Sequence, residues 1–250
     1  MNHTGSADNA GLRPDLSREQ IKYLAIAAMT CNHAAHALLP AGSPLYRVLI
    51  YIGYFTAPVM CRFLVDGYRL TRSRKRYALR LFLAGAAAQI PYVYSTGFRQ
   101  LNILFTLLLC LLLITVMDHV RDPLLKTAAA VAAVACSVPF DWGGLLPGAA
   151  ALFHMAGEDR KKQIRAYAAV VILFGILQAL SLTDSPLYTP SDIALEGFFS
   201  MLGPAAGGLC LFGLYHGRRA ARFQRFHKYF FYIYYPAHLI ILSLLKMRLR

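Results

Sequence analysis

One stretch, LNILFTLLLCLLLITVMD at residues 101–118, indicates the class of fold, because it carries no charged side chain before its last residue, Asp118. As an α-helix rising about 1.5 Å per residue, it would cross most of a hydrocarbon core roughly 30 Å thick. Comparable apolar stretches recur from near residue 20 to near residue 246. We therefore predict an all-α protein, a polytopic bundle of transmembrane helices that lies in the lipid bilayer.

Nine transmembrane spans account for the apolar stretches. The predicted spans are 21–39, 47–69, 78–95, 101–118, 124–140, 143–156, 165–182, 194–215 and 229–246. We expect Ser17 and Gln20 to form a capping box that starts the first helix. The stretch 143–156 is short and interrupted by glycine and proline, a pattern that is typical of a kinked or re-entrant segment.

Composition leaves little room for anything besides this bundle. The 250 residues are 57% hydrophobic and 15% charged, with a mean hydropathy of +0.46. We predict a single transmembrane domain over 20–250, preceded by a short cytoplasmic tail over 1–19. Residues 1–20 have no apolar core of the kind found in cleavable signals, so the first span is expected to be retained. The five cysteines lie in apolar segments without CxxC spacing, so neither a disulfide framework nor a metal site is predicted.

The net charge of +14 follows from basic residues in short connections between spans. The connections 69–80, 157–165 and 216–228 are strongly basic, and by the positive-inside rule they are cytoplasmic. The N-terminus is then cytoplasmic and the C-terminus lies outside, although the basic residues at 246–250 leave an even number of spans open. Nucleic acid is not a predicted partner, because no soluble fold presents these charges.

Polar side chains inside the first span are candidates for function, since each is costly in hydrocarbon. His33 and His36 share one helix face, and Asn32 is one turn from His36, so that its amide could orient that imidazole. Neutral histidine accepts a proton near pH 7, which suits a general base. Hydrogen bonding between helices is the alternative role.

Four further residues lie within other spans. Asn102, at the outer end of the fourth span, could stabilise an oxyanion or cap its helix. His238 lies near the middle of the last span and is a second candidate site residue. Arg62 and Asp66 are spaced for an ion pair in the second span, while Arg62 could also meet the phosphates of an anionic donor. The loop that follows would then add four basic residues to the binding of these phosphates: Arg69, Arg72, Arg74 and Lys75. The positive-inside rule alone also explains this cluster, because cytoplasmic loops are enriched in basic residues.

Four stretches in this order resemble the TraX family of conjugal-transfer pilin acetylases, which is related to the transmembrane acyltransferases. They are IKYLAIAAMTCNH at 21–33, APVMCRFLVDGYRLTRSRKRYALRL at 57–81, QIPY with LNILFTL at 89–107, and KYFFYIYYPAHLIIL at 228–242. The family pattern has an acidic residue directly before the first-span histidine, where this chain has Asn32. An acidic residue would raise the basicity of the imidazole, whereas asparagine can only orient it.

The resemblance implies a membrane-bound N-acetyltransferase of the bacterial cytoplasmic membrane. It would transfer an acetyl group from acetyl-CoA to an amine, such as the N-terminus of a pilin or surface protein. On this hypothesis His33 takes the proton of the amine, Asn102 stabilises the oxyanion and His238 assists. The basic cytoplasmic loop would bind the anionic donor.

Two other functions are compatible with the sequence. A small-solute transporter could use His33, Asp66 and His238 as a proton or substrate path, although no internal repeat is visible. An inactive assembly partner with the same fold is the other possibility.

Overall fold

The computed structural model describes residues 15–218 and 222–249. In these residues the chain forms ten α-helices and a π-helical turn, and its only bridge joins Leu101 to Phe140. The helices are α1 (Arg18–Leu38), α2 (Pro44–Gly53), α3 (Thr56–Leu70), α4 (Arg74–Thr96), α5 (Ile103–His119), α6 (Pro123–Cys136), α7 (Leu146–Met155), α8 (Arg160–Leu180), α9 (Pro190–Leu209) and α10 (Gln224–Leu249). The predicted all-α class is confirmed. Most of the predicted tail, residues 219–221 of the basic connection 216–228, and residue 250 lie outside the described residues.

The chain is a membrane protein. Four helical segments of the described ranges are long and apolar enough to cross a bilayer: Pro44–Leu70, Arg160–Leu180, Pro190–Leu214 and Tyr229–Leu249. Shorter apolar helices are Ile103–His119, Pro123–Cys136 and Leu146–Met155. Each predicted span coincides in position with one helix or with two consecutive segments. The number of spans and their orientation stay predictions.

Local sequence accounts for the helix ends. The predicted capping box forms, with the Ser17 backbone N–H donating to Gln20 Oε1 (2.7 Å) and the Gln20 N–H donating to Ser17 Oγ (3.2 Å). Residues 143–156 give only the ten-residue α7, because glycines precede it and Pro147 occupies its first turn. This short helix is consistent with the broken pattern of the sequence.

The predicted span 47–69 is divided into α2 and α3 at Tyr54 and Phe55. At the end of α2, Gly53 lies against α1 so closely that a Cβ atom there would come within 2.3 Å of the Asn32 Cβ. Gly203 of α9 is equally tight, since its Cβ would lie 2.2 Å from the Tyr51 carbonyl oxygen. These contacts hold α1, α2 and α9 together on one side of the bundle.

Helix α10 returns to pack on α1 and α4, which brings distant parts of the sequence together. The Ser243 hydroxyl donates to the Pro91 carbonyl (3.0 Å), and Lys246 Nζ donates to the Ser95 carbonyl (2.8 Å). The turn between α6 and α7 is fixed in a similar way, because the Asp141 N–H donates to the Leu101 carbonyl (2.7 Å). Both sets of contacts join parts of the chain that lie far apart in the sequence.

Candidate active site

Two histidines 205 residues apart form the centre of the site. His33 of α1 and His238 of α10 are 5% and 4% exposed, and His33 Nδ1 lies 2.8 Å from His238 Nε2. The rings are nearly parallel, at 12° to each other. The structure thus brings together two of the three residues that were predicted to carry the chemistry.

The partners of His238 fix which ring nitrogens carry hydrogen. His238 Nδ1 lies 3.0 Å from the Tyr234 carbonyl oxygen, which can only accept, so His238 Nδ1–H is the donor there. In neutral His238, Nε2 is then an acceptor, and His33 Nδ1–H donates to it. His33 Nε2 is therefore the nitrogen with an available lone pair, as a general base requires.

His33 lines a cavity of about 430 Å³. Its wall includes Asn32, His33, His36, Tyr92, Asp141 and Trp142. His36 is held by the Tyr46 hydroxyl, 2.9 Å from His36 Nδ1, and this bond takes the place that was expected of the Asn32 amide. We call this space the histidine cavity.

Asp141 is a site residue that sequence reasoning missed. It lies in the connection between α6 and α7, outside the membrane-spanning segments, and its carboxylate accepts from Gln100 Nε2 at 3.5 Å. Burial raises the pKa of Asp141 to about 7, although the Trp142 N–H and the Tyr92 hydroxyl both favour the carboxylate. Its position next to the interrupted segment 143–156 was the available signal, but an acid in a loop between spans is ordinarily solvated.

Asn102 is not at the histidine cavity. It is 0% exposed and is the N-cap of α5, with its Oδ1 accepting from the Leu104 N–H (3.1 Å). Its Nδ2 donates to the Gly85 carbonyl (2.8 Å) and to Gln89 Oε1 (2.9 Å). Both amide hydrogens are thereby used within the protein, so these contacts correspond to the capping alternative.

A second cavity, of about 490 Å³, lies beside the first. Its wall includes Arg18, Lys22, Tyr77, Arg80, Tyr232 and Tyr235. Arg18 Nη2 donates to the Phe63 carbonyl (2.7 Å), while Arg18 Nε and Arg80 Nε are buried and have no hydrogen-bond partner in the described residues. We call this space the basic cavity.

Three side chains line both cavities: Met29 of α1, Thr56 of α3 and Ile103 of α5. Tyr235 also lies at this boundary, because it lines the basic cavity while its ring centroid is 6.1 Å from that of His33. Its hydroxyl is buried and makes no hydrogen bond of ordinary geometry among the described residues, although the backbone N–H of Ile103 lies close to its oxygen. The hydroxyl hydrogen can therefore be donated to a ligand.

The remaining predicted residues line neither cavity. Arg62 and Asp66 form the expected ion pair within α3. Arg69 donates to the carbonyls of Gly157 (2.8 Å) and His154 (3.0 Å), and Arg74 lies over the Tyr68 ring. Arg72 and Lys75 are exposed. The donor role proposed for the loop stays a prediction, but the loop residues named for it line neither cavity.

Comparison with known proteins shows the family of the chain. The family model described as "TraX protein" matches residues 17–246. The chain belongs to the TraX family. This TraX-family chain is also 32% identical over 260 residues to "Probable fimbrial assembly protein FimC, serogroup H1" of Dichelobacter nodosus, covering 94% of the chain and 98% of that relative. No solved structure matches it. In the described residues, no group of three or more His, Cys, Asp or Glu could hold a metal ion.

Proposed function

We propose that the chain is an integral membrane acyltransferase that transfers an acetyl group from acetyl-CoA to an amine. The observation that carries the proposal is the hydrogen bond from His33 to His238, which leaves the His33 Nε2 lone pair unused in a residue that lines a cavity next to a second, basic cavity. The name of the fimbrial assembly relative supports a pilin or surface-protein N-terminus as the acceptor. We place the protein in the bacterial cytoplasmic membrane with its N-terminus in the cytoplasm.

The basic cavity is the proposed donor site. Coenzyme A carries phosphates, for which arginine is a suitable binding group, and Arg18 and Arg80 both retain an unused buried Nε among the described residues. The cavity is otherwise largely apolar and reaches the boundary formed by Met29, Thr56 and Ile103. This assignment replaces the exposed loop cluster with two arginines that line a cavity.

The chemistry needs one proton acceptor and one oxyanion donor. The amine nitrogen attacks the thioester carbonyl carbon, its proton passes to His33 Nε2, and the carbonyl oxygen becomes negative. When the oxyanion collapses, the C–S bond breaks and the proton goes to the departing thiolate, giving an amide and free coenzyme A. Tyr235 is the proposed oxyanion donor, since both Asn102 amide hydrogens are already donated.

His238 orients the His33 ring, a role that an acidic residue next to the histidine would have in the family pattern. Because His238 Nε2 accepts from His33 Nδ1–H, it keeps the His33 lone pair on Nε2 without a carboxylate. The imidazolium that forms at His33 remains bonded to this neutral acceptor. Asn32 can therefore occupy the preceding position while the base remains correctly oriented.

The proposal is tested with purified protein in liposomes, acetyl-CoA and a peptide with a free N-terminus. The wild type should add the mass of one acetyl group to the peptide. His33→Gln should lower the rate about a hundredfold or more, and Tyr235→Phe about tenfold or more, with little change in Tm. His119→Gln, an exposed histidine at the end of α5, is the matched control. Undiminished transfer by His33→Gln would contradict the mechanism.

Transport is the second candidate function, because two neighbouring cavities that share three lining side chains would form a path if those side chains moved apart. It predicts solute uptake into the same liposomes without chemical change to the solute. An inactive assembly partner would bind no acyl-CoA and would acetylate no peptide.

A further inference from the structure

A carboxylate lies in the histidine cavity, and within the described ranges no cation stands beside it. Asp141 lines the cavity, and its described neighbours are neutral: the Gln100 amide, the Tyr92 hydroxyl and the backbone N–H of Trp142. The lining residues include no lysine or arginine, and Asp141 takes part in no ion pair among the described residues. Buried carboxylates are costly unless a cation or several donors compensate them.

Two hydrogen bonds hold the backbone of Asp141 in place, one through its N–H and one through its carbonyl. Its N–H donates to the Leu101 carbonyl (2.7 Å), and its carbonyl accepts from the Thr106 hydroxyl (2.6 Å). These bonds orient the residue without using its carboxylate. The turn is therefore held by the backbone of Asp141 on both sides, and it presents the carboxylate to the cavity.

The surroundings of the carboxylate indicate the chemistry of a ligand. Next to it the Trp142 ring is stacked on Phe174, with centroids 4.6 Å apart and an angle of 19°. Both rings line the cavity, so a cation beside Asp141 would meet an apolar, aromatic wall. An organic ammonium group with an apolar substituent fits this combination. A divalent metal fits it poorly, since the described residues offer no set of three ligands.

We infer that Asp141 binds the terminal ammonium group of the acceptor and that the Trp142–Phe174 wall contacts the side chain of its first residue. The inference rests on the proposed function, because it states how the amine of that reaction is held. It also explains how one cavity can both attract a cationic amine and contain the base: the ammonium first releases one proton to solvent to become a nucleophile, and His33 takes the second proton as the C–N bond forms. Asp141 is an anchor for the ammonium, and His33 remains the base.

Binding in the absence of acyl donor tests the anchor separately from acetyl transfer. Calorimetry in detergent would compare a tripeptide amide that begins with phenylalanine and has a free N-terminus with its N-acetylated form. We expect the wild type to bind the free amine about tenfold or more tightly than the acetylated peptide. Asp141→Asn should remove this preference, and Asp141→Glu should restore part of it. Asp184→Asn, an exposed aspartate in another loop, should leave the preference unchanged.

Several outcomes would overturn the inference. These are equal binding of the two peptides by the wild type, no binding of either, or an unchanged preference in Asp141→Asn. A sodium ion at Asp141 would instead raise the Tm in sodium chloride relative to choline chloride, with no discrimination between peptides. Loss of acetyl transfer in His33→Gln with the peptide preference intact would support both proposals. Peptide discrimination without any acetyl transfer would leave the anchor standing and remove the proposed reaction.

Discussion

At the scale of single residues, the site depends on groups whose protonation is set by their neighbours. The Tyr234 carbonyl sets the tautomer of His238, which sets that of His33. The sequence predicts both histidines as candidate site residues, because polar residues are rare inside apolar spans. It could not pair them, since α1 and α10 lie at opposite ends of the chain and their contact depends on tertiary packing.

Asp141 gives a pH dependence of stability at the same scale. Its folded pKa of about 7 lies above the ordinary value of 3.8, so ionisation costs more in the folded protein than in the unfolded chain. The stability that the folded protein gains from holding Asp141 protonated is fully present below about pH 4. It is lost as pH rises towards about 7, and above that the stability no longer changes with the titration of Asp141. His33, His36, Tyr92 and Tyr235 face the same region, so a comparison of variants isolates the effect of Asp141.

We expect Asp141→Asn to gain stability relative to the wild type as pH rises. The difference in Tm between variant and wild type should increase by a few degrees between about pH 5 and pH 8, measured by thermal unfolding in detergent. Asp184→Asn, which is exposed, serves as the control. A difference in Tm that is independent of pH would show that Asp141 does not titrate in this range.

At the scale of helices, apolar length predicted where most elements lie, but not where they break. The span 47–69 is one continuous apolar stretch in the sequence, yet it divides at Tyr54 and Phe55, where Gly203 of α9 packs tightly against it. The predicted span 124–140 extends four residues beyond the end of α6, where Ser137 begins the turn that leads to Asp141. Neither the close contact nor the turn is visible in a single sequence.

The contact between α1 and α2 provides a test at this scale. In Gly53→Ala the new methyl group would collide with Asn32, whose Cβ lies 2.3 Å from that position, and α2 would have to move away from the histidine cavity. We expect a loss of about 1–3 kcal/mol in stability, seen as a lower Tm, and slower acetyl transfer. Gly213→Ala is the control, because, apart from its own helical turn and chain neighbours, no atom of the described residues lies within 4 Å of the place its methyl group would take. Equal Tm values for both variants would argue against the close contact.

At the scale of the whole molecule, the two cavities lie side by side within one bundle. Their boundary draws Met29, Thr56 and Ile103 from three different helices, so no local motif predicts it. The resemblance to the family implies an acyl donor and an amine acceptor that meet inside the membrane. Only the packing of α1, α3 and α5 provides a place where they could meet and a set of side chains that would limit what passes.

Ile103 should therefore influence the length of acyl chain that the protein accepts. It is 8% exposed and lines both cavities, so Ile103→Ala would widen the boundary without removing a polar group. Since each methylene in a tight apolar pocket changes selectivity about tenfold or more, we expect the ratio of butyryl to acetyl transfer rates to rise by at least that factor. Leu113→Ala truncates another buried residue of α5 that lines neither cavity, and it should lower stability while leaving the ratio unchanged. An equal ratio in the two variants would mean that the acyl group does not pass Ile103, and the donor would then have to reach His33 by another route.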